Sequence, residues 1–329
     1  MDWIVKRVIN FEKGGLFEDG YAQFGFHDSK GRQYVINADK NWIGLIEENN
    51  SLVWSAGDST GVKSPRHFSV DFKYPVYITD TPEGKLLVSS SENKRIYVLD
   101  PEKGTAKVLI DGESEEFTDL GNCVLDAEGN IWINEVRGCR LRKFSSEGKP
   151  LLVLGTGQPG FQKEACSFEE VQFNWIFDIR PGPDGNIYVL DSKNYAVRMV
   201  DLYHHRVVPI AGTGKSGYTG DGGKALEATF GSTPGEYFDG PWSLSLDEAG
   251  NIFVGDTQNH VIRRIDRITR TITTIAGNYA ITPGLRNDPG TVNPINLNLP
   301  RICGMDYYKG NLFIPEWDGD LIVLARKTS

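Results

Sequence analysis

The chain is short of cysteine, of basic charge and of long apolar runs, and each shortage removes a class of protein. Lys and Arg number 35 against 44 Asp and Glu, a formal net charge of −9. DNA and anionic membranes call for a basic footprint, so neither partner is expected, and the same balance counts against RNA. No stretch approaches the roughly 20 apolar residues of a membrane-crossing helix. Cysteine occurs four times, at Cys123, Cys139, Cys166 and Cys303. None falls in a C-x-x-C pair, so no zinc-site pattern exists, and the number is far below that of a disulfide scaffold. Cys123 and Cys139 flank one strand and could approach each other; buried free thiols are the plainer expectation. The first ten residues are too short and too broken by charge to serve as the core of a signal peptide. A cytoplasmic protein and a mature secreted domain both stay open.

What the chain has is a repeat. A Gly followed closely by an apolar pair recurs at Gly31, Gly84, Gly129, Gly185, Gly250 and Gly310, at spacings of 53, 45, 56, 65 and 60 residues. Six residues past each stand Asn37, Ser90, Glu135, Asp191, Asp256 and Glu316. Nine past each stand Lys40, Asn93, Gly138, Asn194, Asn259 and Gly319, mostly residues that tolerate φ > 0 in a hairpin turn. Phe238–Asn278 shows the full unit, four short strands rich in Val, Ile and Phe joined by tight turns. Such a unit cannot bury its faces alone and needs copies of itself.

Six units of about 50 residues, close to the size of a four-stranded blade, account for nearly all of the 329. The expected fold is all-β, a six-bladed β-propeller of four-stranded antiparallel blades, a single domain over 1–329. Trp3–Ile9 has no partner near it and the last unit runs out after three strands. The N-terminal strand is therefore expected to complete the last blade and close the ring. Blade 1 is predicted over Tyr21–Phe26, Gln33–Asn37, Trp42–Ile46 and Ser51–Ala56, and the inner strand of blade 6 over Ile302–Asp306. The links after blades 3, 4 and 5 are long, at 155–174, 212–240 and 277–301. They emerge on the face that carries the turns between second and third strands. Loops carry function and strands the scaffold, so this face is the expected ligand face.

Gly250-Asn-Ile-Phe-Val-Gly-Asp-Thr-Gln-Asn-His-Val-Ile-Arg-Arg-Ile-Asp266 and Ile210-Ala-Gly-Thr-Gly-Lys-Ser-Gly-Tyr-Thr-Gly-Asp-Gly-Gly223 resemble the repeat core and inter-repeat run of the NHL-repeat propellers. Blades 4 and 5 match well, blade 3 less, and blades 1, 2 and 6 only through the anchor positions. The resemblance implies the propeller fold. It leaves function open, since members and relatives include RNA-binding domains, interaction scaffolds, a peptide-amidating lyase, streptogramin lyase and gluconolactonase-like hydrolases.

Gly212-Thr-Gly-Lys-Ser-Gly217 and Gly155-Thr-Gly-Gln-Pro-Gly160 match G-x-G-x-x-G, but no helix can follow either, so both read as turns. The carboxylates are the sharpest chemical feature. Asp191 and Asp256 fit a structural role, each accepting from its own turn or pairing with Arg198 or Arg263. Glu135 and Glu316 reach further and are the candidate catalytic acid or base, since crowded carboxylates raise one another's pKa. His67, Asn122, Trp175, Asp178, Trp242 and Arg301 are placed near the channel rim as candidate ligand-binding residues with Asp191 and Asp256. The two tryptophans would serve as aromatic walls and Arg301 as a clamp for an anionic group. The lyase relatives use several histidines around zinc; of the five here, His27, His67, His204, His205 and His260, at most two could converge. No cofactor is required by any motif, and a divalent cation such as calcium fits the carboxylates better. The expectation is a monomeric propeller that binds a small molecule or a peptide or protein segment on the long-link face. The alternative is a lyase or hydrolase using a carboxylate or a divalent metal at the channel mouth.

Overall fold

The computed structural model describes residues 3–10, 24–47, 51–59, 64–232, 238–279, 293–316 and 320–327. They form six blades of antiparallel strands. The chain opens with β1 (Trp3–Asn10). Blade 1 holds β2 (Phe24–His27), β3 (Gln33–Asn37), β4 (Trp42–Ile46), β5 (Leu52–Gly57) and β6 (His67–Ser69). Blade 2 holds β7 (Pro75–Asp80), β8 (Leu86–Ser90), β9 (Arg95–Asp100) and β10 (Thr105–Asp111). Blade 3 holds β11 (Cys123–Leu125), β12 (Ile131–Glu135), β13 (Arg140–Phe144) and β14 (Pro150–Leu154). After β15 (Cys166–Ser167), blade 4 holds β16 (Ile176–Pro181), β17 (Ile187–Asp191), β18 (Ala196–Asp201) and β19 (Arg206–Ala211). Blade 5 holds β20 (Ser243–Leu246), β21 (Ile252–Asp256), β22 (Val261–Ile265) and β23 (Ile272–Gly277). Blade 6 holds β24 (Asp306–Tyr308), β25 (Asn311–Pro315) and β26 (Asp320–Arg326). β1 completes it, antiparallel to β26 with Trp3 opposite Arg326. Inner strand β2 packs on β24, so the ring closes with the two chain ends in one blade. The predicted residues 21–23 of the first inner strand lie outside the described residues.

Two blades carry a strand that the pattern did not announce. β6 runs parallel beside β5, with Ser55 opposite His67. β15 lies antiparallel beside β19, with Cys166 opposite Val207. Each covers an outer edge that would otherwise expose unpaired backbone. His67 is thereby corrected: it sits on the outer edge of blade 1, its Nδ1 2.9 Å from Ser55 Oγ, and not at the channel rim.

The turn chemistry also differs from the expectation by one residue. The left-handed position is the tenth after five of the six repeat glycines, at Asn41, Lys94, Cys139, Tyr195 and His260, with φ of 57°, 50°, 52°, 49° and 57°. The ninth residue instead supplies a side chain, as Asn194 Nδ2 does to Asp191 Oδ2 at 2.9 Å and Asn259 Nδ2 to Asp256 Oδ2 at 2.9 Å. The carbonyl of the left-handed residue then presses on the backbone just past the fourth strand. A Cβ at Gly212 (φ 96°) would lie 2.2 Å from Tyr195 O, and one at Gly277 (φ 87°) 2.1 Å from His260 O. Gly212→Ala combines that overlap with left-handed strain, each term worth about 1–2 kcal/mol, and is expected to lower the urea midpoint accordingly. An unchanged midpoint would mean that the close approach is not needed.

Three inner strands are bulged. The pairing shifts between Pro75 and Tyr77 in blade 2 and between Ile176 and Asp178 in blade 4. In blade 6, Ile302 bridges Glu316 and Cys303 N donates to Pro315 O at 3.2 Å, but Asp306 already faces Phe313. One extra residue has entered at Gly304–Met305, and this is why regular β24 starts at Asp306 where Ile302–Asp306 was predicted. A bulge breaks the two-residue alternation and aims neighbouring side chains to one side. Val76 and Phe177, the extra residues of blades 2 and 4, both face the central channel.

Candidate functional site

The channel opens into a cavity of about 450 Å³ to which every blade contributes. Ser91, Val136 and Gln258 come from turns between second and third strands, and Phe238 and Arg301 from the links entering blades 5 and 6. The mouth therefore lies on the long-link face. The wall is mostly apolar, with Phe26, Ile36, Val76, Ile78, Leu120 and Met305 among its residues.

Blades 4 and 5 supply an aromatic wall. The rings of Phe177 and Trp242 stack at 6.0 Å and 11°. Phe238, at the rim, meets Trp242 edge-on at 4.8 Å and Phe177 at 5.7 Å. Trp175 stands behind them, 6.2 Å from Phe177, with Lys193 Nζ 5.3 Å above its own ring. It backs the wall and is not part of the lining.

The floor is polar and tightly tied. Asp178 Oδ1 accepts from Asn122 Nδ2 at 2.6 Å, and Oδ2 accepts from Leu244 N at 2.8 Å and Arg180 Nη2 at 3.1 Å. Arg180 also donates to the Tyr77 hydroxyl and to Met305 O, the latter at 3.1 Å. One guanidinium thus joins blades 2, 4 and 6 across the channel. Burial pushes the Asp178 carboxyl up, and Arg180 pulls it back. Burial alone would lower Arg180, but Asp178, Tyr77 and Asp306 outweigh it and hold the guanidinium charged. Among the described residues, Asp178 is the only carboxylate of the lining.

Of the ten residues singled out in the sequence, Asn122, Asp178, Trp242 and Arg301 line this cavity. Glu135, Asp191, Asp256 and Glu316 do not. Glu135 is fully buried; its Oε2 accepts from Thr118 N at 2.8 Å and from Arg140 Nη2 at 3.1 Å, and its Oε1 faces Arg142 Nε. Asp191 Oδ1 accepts from Asn174 N at 2.7 Å, and Asp256 Oδ1 from Gly231 N at 2.8 Å. The second oxygen lies 3.5 Å from Arg198 Nη1 in one case and 3.9 Å from Arg263 Nη1 in the other. Each of these three carboxylates clamps the link arriving from the previous blade to its own hairpin. Glu316 is buried where β25 ends, across from Ile302. The reach of a glutamate was the wrong criterion for Glu135, because its long side chain turns back into its own blade to meet Arg140 and Arg142. Arg180, Phe177, Phe238, Tyr74 and Tyr77 were missed. For Arg180 the signal was there: it stands two residues from Asp178 on an inner strand, hence on the same face.

Burial lifts Asp191 to about 6, against the pull of Arg198 and Asn194, and Asp256 likewise to about 6, against Asn259 and Gly231. A carboxyl raised in the folded state contributes stability that is complete below its unfolded value of 3.8 and is lost as pH rises through the folded value. The thermal midpoint is expected to fall between about pH 4 and about pH 6, with a flatter profile in the Asp191→Asn/Asp256→Asn variant. A midpoint that climbs through that window would contradict this.

All four cysteines are free thiols. Among the described residues no three His, Cys, Asp or Glu side chains gather as a metal site.

No protein-family model matches the chain. It is 32% identical over 121 residues, 35% of its length, to the protein SUPPRESSOR OF QUENCHING 1, chloroplastic, of Arabidopsis thaliana. It is 26% identical over 213 residues, 60% of its length, to the human NHL repeat-containing protein 3. The matched regions span 10% and 55% of those two proteins. Among solved structures, an auxiliary nutrient binding protein from Bacteroides thetaiotaomicron superposes with a TM-score of 0.66 at 15% identity, over 99% of this chain and 76% of that one. Virginiamycin B lyase from Staphylococcus aureus superposes with a TM-score of 0.55 at 10% identity, over 92% and 80%. At these identities the likeness concerns the fold.

Proposed function

We propose, for this six-bladed propeller of NHL type, that it is a binding protein whose channel cavity takes a small, largely apolar molecule or the apolar end of a peptide from the long-link face. The observation that carries this is the cavity itself, of about 450 Å³, with a stacked aromatic wall and few polar groups. That is within the ordinary size and composition of a small-molecule site. The candidate acid–base glutamates lie outside the lining, Glu135 held by Arg140 and Arg142 and Glu316 buried across from Ile302. A lyase or hydrolase that uses a carboxylate of the described lining would work through Asp178, whose two oxygens already receive Asn122, Leu244 and Arg180. A nutrient-binding protein and a lyase among the structural neighbours both handle small ligands, which supports a cavity in use.

The test is a fluorescence titration with the uncharged probe N-phenyl-1-naphthylamine. Saturable one-to-one binding is expected in the wild type. Val76→Trp, which fills the channel from β7, is expected to abolish it without lowering the thermal midpoint. Absence of saturable binding, or binding that survives Val76→Trp, would overturn the reading.

A further inference from the structure

We propose that the occupant is an amphipathic anion, a compact apolar body ending in one carboxylate-class group, seated body first with the anion held at the mouth by Arg301. This rests on the cavity being the binding site. It follows from the balance of charge around the lining. Two cations line the cavity, and only one of them is engaged. Arg180 is tied to Asp178, Tyr77 and Met305. Arg301 lines the mouth and is exposed, and among the described residues its guanidinium makes no hydrogen bond or ion pair. Asp178 is neutralised by Arg180, so Arg301 is the one uncompensated charge of the described lining. In a chain of net charge −9, a lone positive group at the rim of an apolar cavity runs against the general balance.

One more group points the same way. The Tyr74 hydroxyl, also on the lining, makes no hydrogen bond among the described residues. Burial pushes it up to about 12, so it keeps its proton at neutral pH and can donate as well. Orientation follows from desolvation. A charge carried down among Phe26, Ile78 and Met305 would lose its water, whereas at Arg301 it keeps water and gains a charged donor. The apolar body fills the interior and lies against Phe177 and Trp242. The chemistry selects an anion on a hydrophobic frame; a free organic acid and a peptide C-terminus share it.

The experiment compares two fluorescent probes with the same ring system, 1-anilinonaphthalene-8-sulfonate and its uncharged counterpart N-phenyl-1-naphthylamine. They are titrated into the full chain, into Arg301→Gln and into Val76→Trp. The expected result is binding of both to the wild type, with the anionic probe tighter by about tenfold, as one charged hydrogen-bonded pair provides. Arg301→Gln is expected to erase that preference while leaving the neutral probe unchanged, and Val76→Trp to abolish both. Arg301 is exposed, so its replacement should leave the thermal midpoint in place. Equal affinities, or a preference that survives Arg301→Gln, would overturn the proposal and leave the cavity reading standing. Failure of both probes to bind would overturn both. If the preference is seen, N-acetylated dipeptides with free and amidated C-termini distinguish the two sources of the anion.

Discussion

Asp191→Ala is expected to lower the unfolding free energy by about 3–5 kcal/mol at pH 7, because it removes one partner of a buried charged pair. The Arg198 side chain is fully inaccessible, and after the substitution it would keep only Gln172 O, Gln162 Oε1 and Cys166 Sγ as partners. Asn174 N, at the entry to blade 4, would lose its acceptor too, so the link from blade 3 would be released together with the hairpin. Asp256→Ala should cost less, because Arg263 keeps its ion pair with Asp221 at 2.8 Å and two carbonyls, Thr229 O and Thr219 O. Urea denaturation checks both. The variant that separates charge from shape is Asp191→Leu/Arg198→Met, which removes both ions and should recover much of the loss. A single-variant loss under about 1 kcal/mol would show that these carboxylates are not structural clamps. In none of these variants should the neutral probe change affinity at temperatures where the protein is folded, because the pairs lie between hairpin and link and not in the cavity wall.

Arg180→Met is expected to act on both stability and the site. It breaks the bond to Tyr77 on blade 2, the pair with Asp178 on blade 4 and the bond to Met305 O on blade 6. Asp178 would be left buried with Asn122 and Leu244 N alone, a loss of about 3–5 kcal/mol with the carboxylate ionised. Without the arginine, only the bonds from Asn122 and Leu244 N oppose the upward push of burial on Asp178. The variant should therefore regain stability as pH falls and the carboxyl takes up its proton, which the wild type should not do to the same degree. Tyr77→Phe removes only an acceptor and is the milder control, at about 1 kcal/mol. If Arg180→Met melts like the wild type and binds the neutral probe unchanged, the floor is not holding the blades around the cavity.

The blade count, the closure by the N-terminal strand and the long-link face were legible because they rest on local rules. Gly31, Gly84, Gly129, Gly185, Gly250 and Gly310 all adopt φ between 78° and 82°. That conformation demands glycine whatever surrounds it, so it marks the first turn of every blade from the chain alone. Apolar runs such as Ile187–Leu190 are buried on both faces because a blade is packed between two others. The pairing of Asp191 with Arg198 and of Asp256 with Arg263 was equally open to view, since the members stand on adjacent strands of one hairpin.

The site was decided by contacts between blades. A sequence read with a period of two places Phe177 opposite to Asp178; the bulge in β16 turns both to the channel. The tenth residue takes the left-handed turn because the ninth is needed to reach its blade's acid and the incoming link, as Asn194 reaches Asp191 and Gly160 O. His67 left the rim because the link after blade 1 found an open edge on β5 to pair with. Glu135 left it because two arginines of its own blade lay within reach. Local conformational demands are written in single residues and short spacings, and these determined that the chain is a propeller. Which side chains meet at its centre depends on strand register and on partners from five other blades, and only the closed ring supplies both.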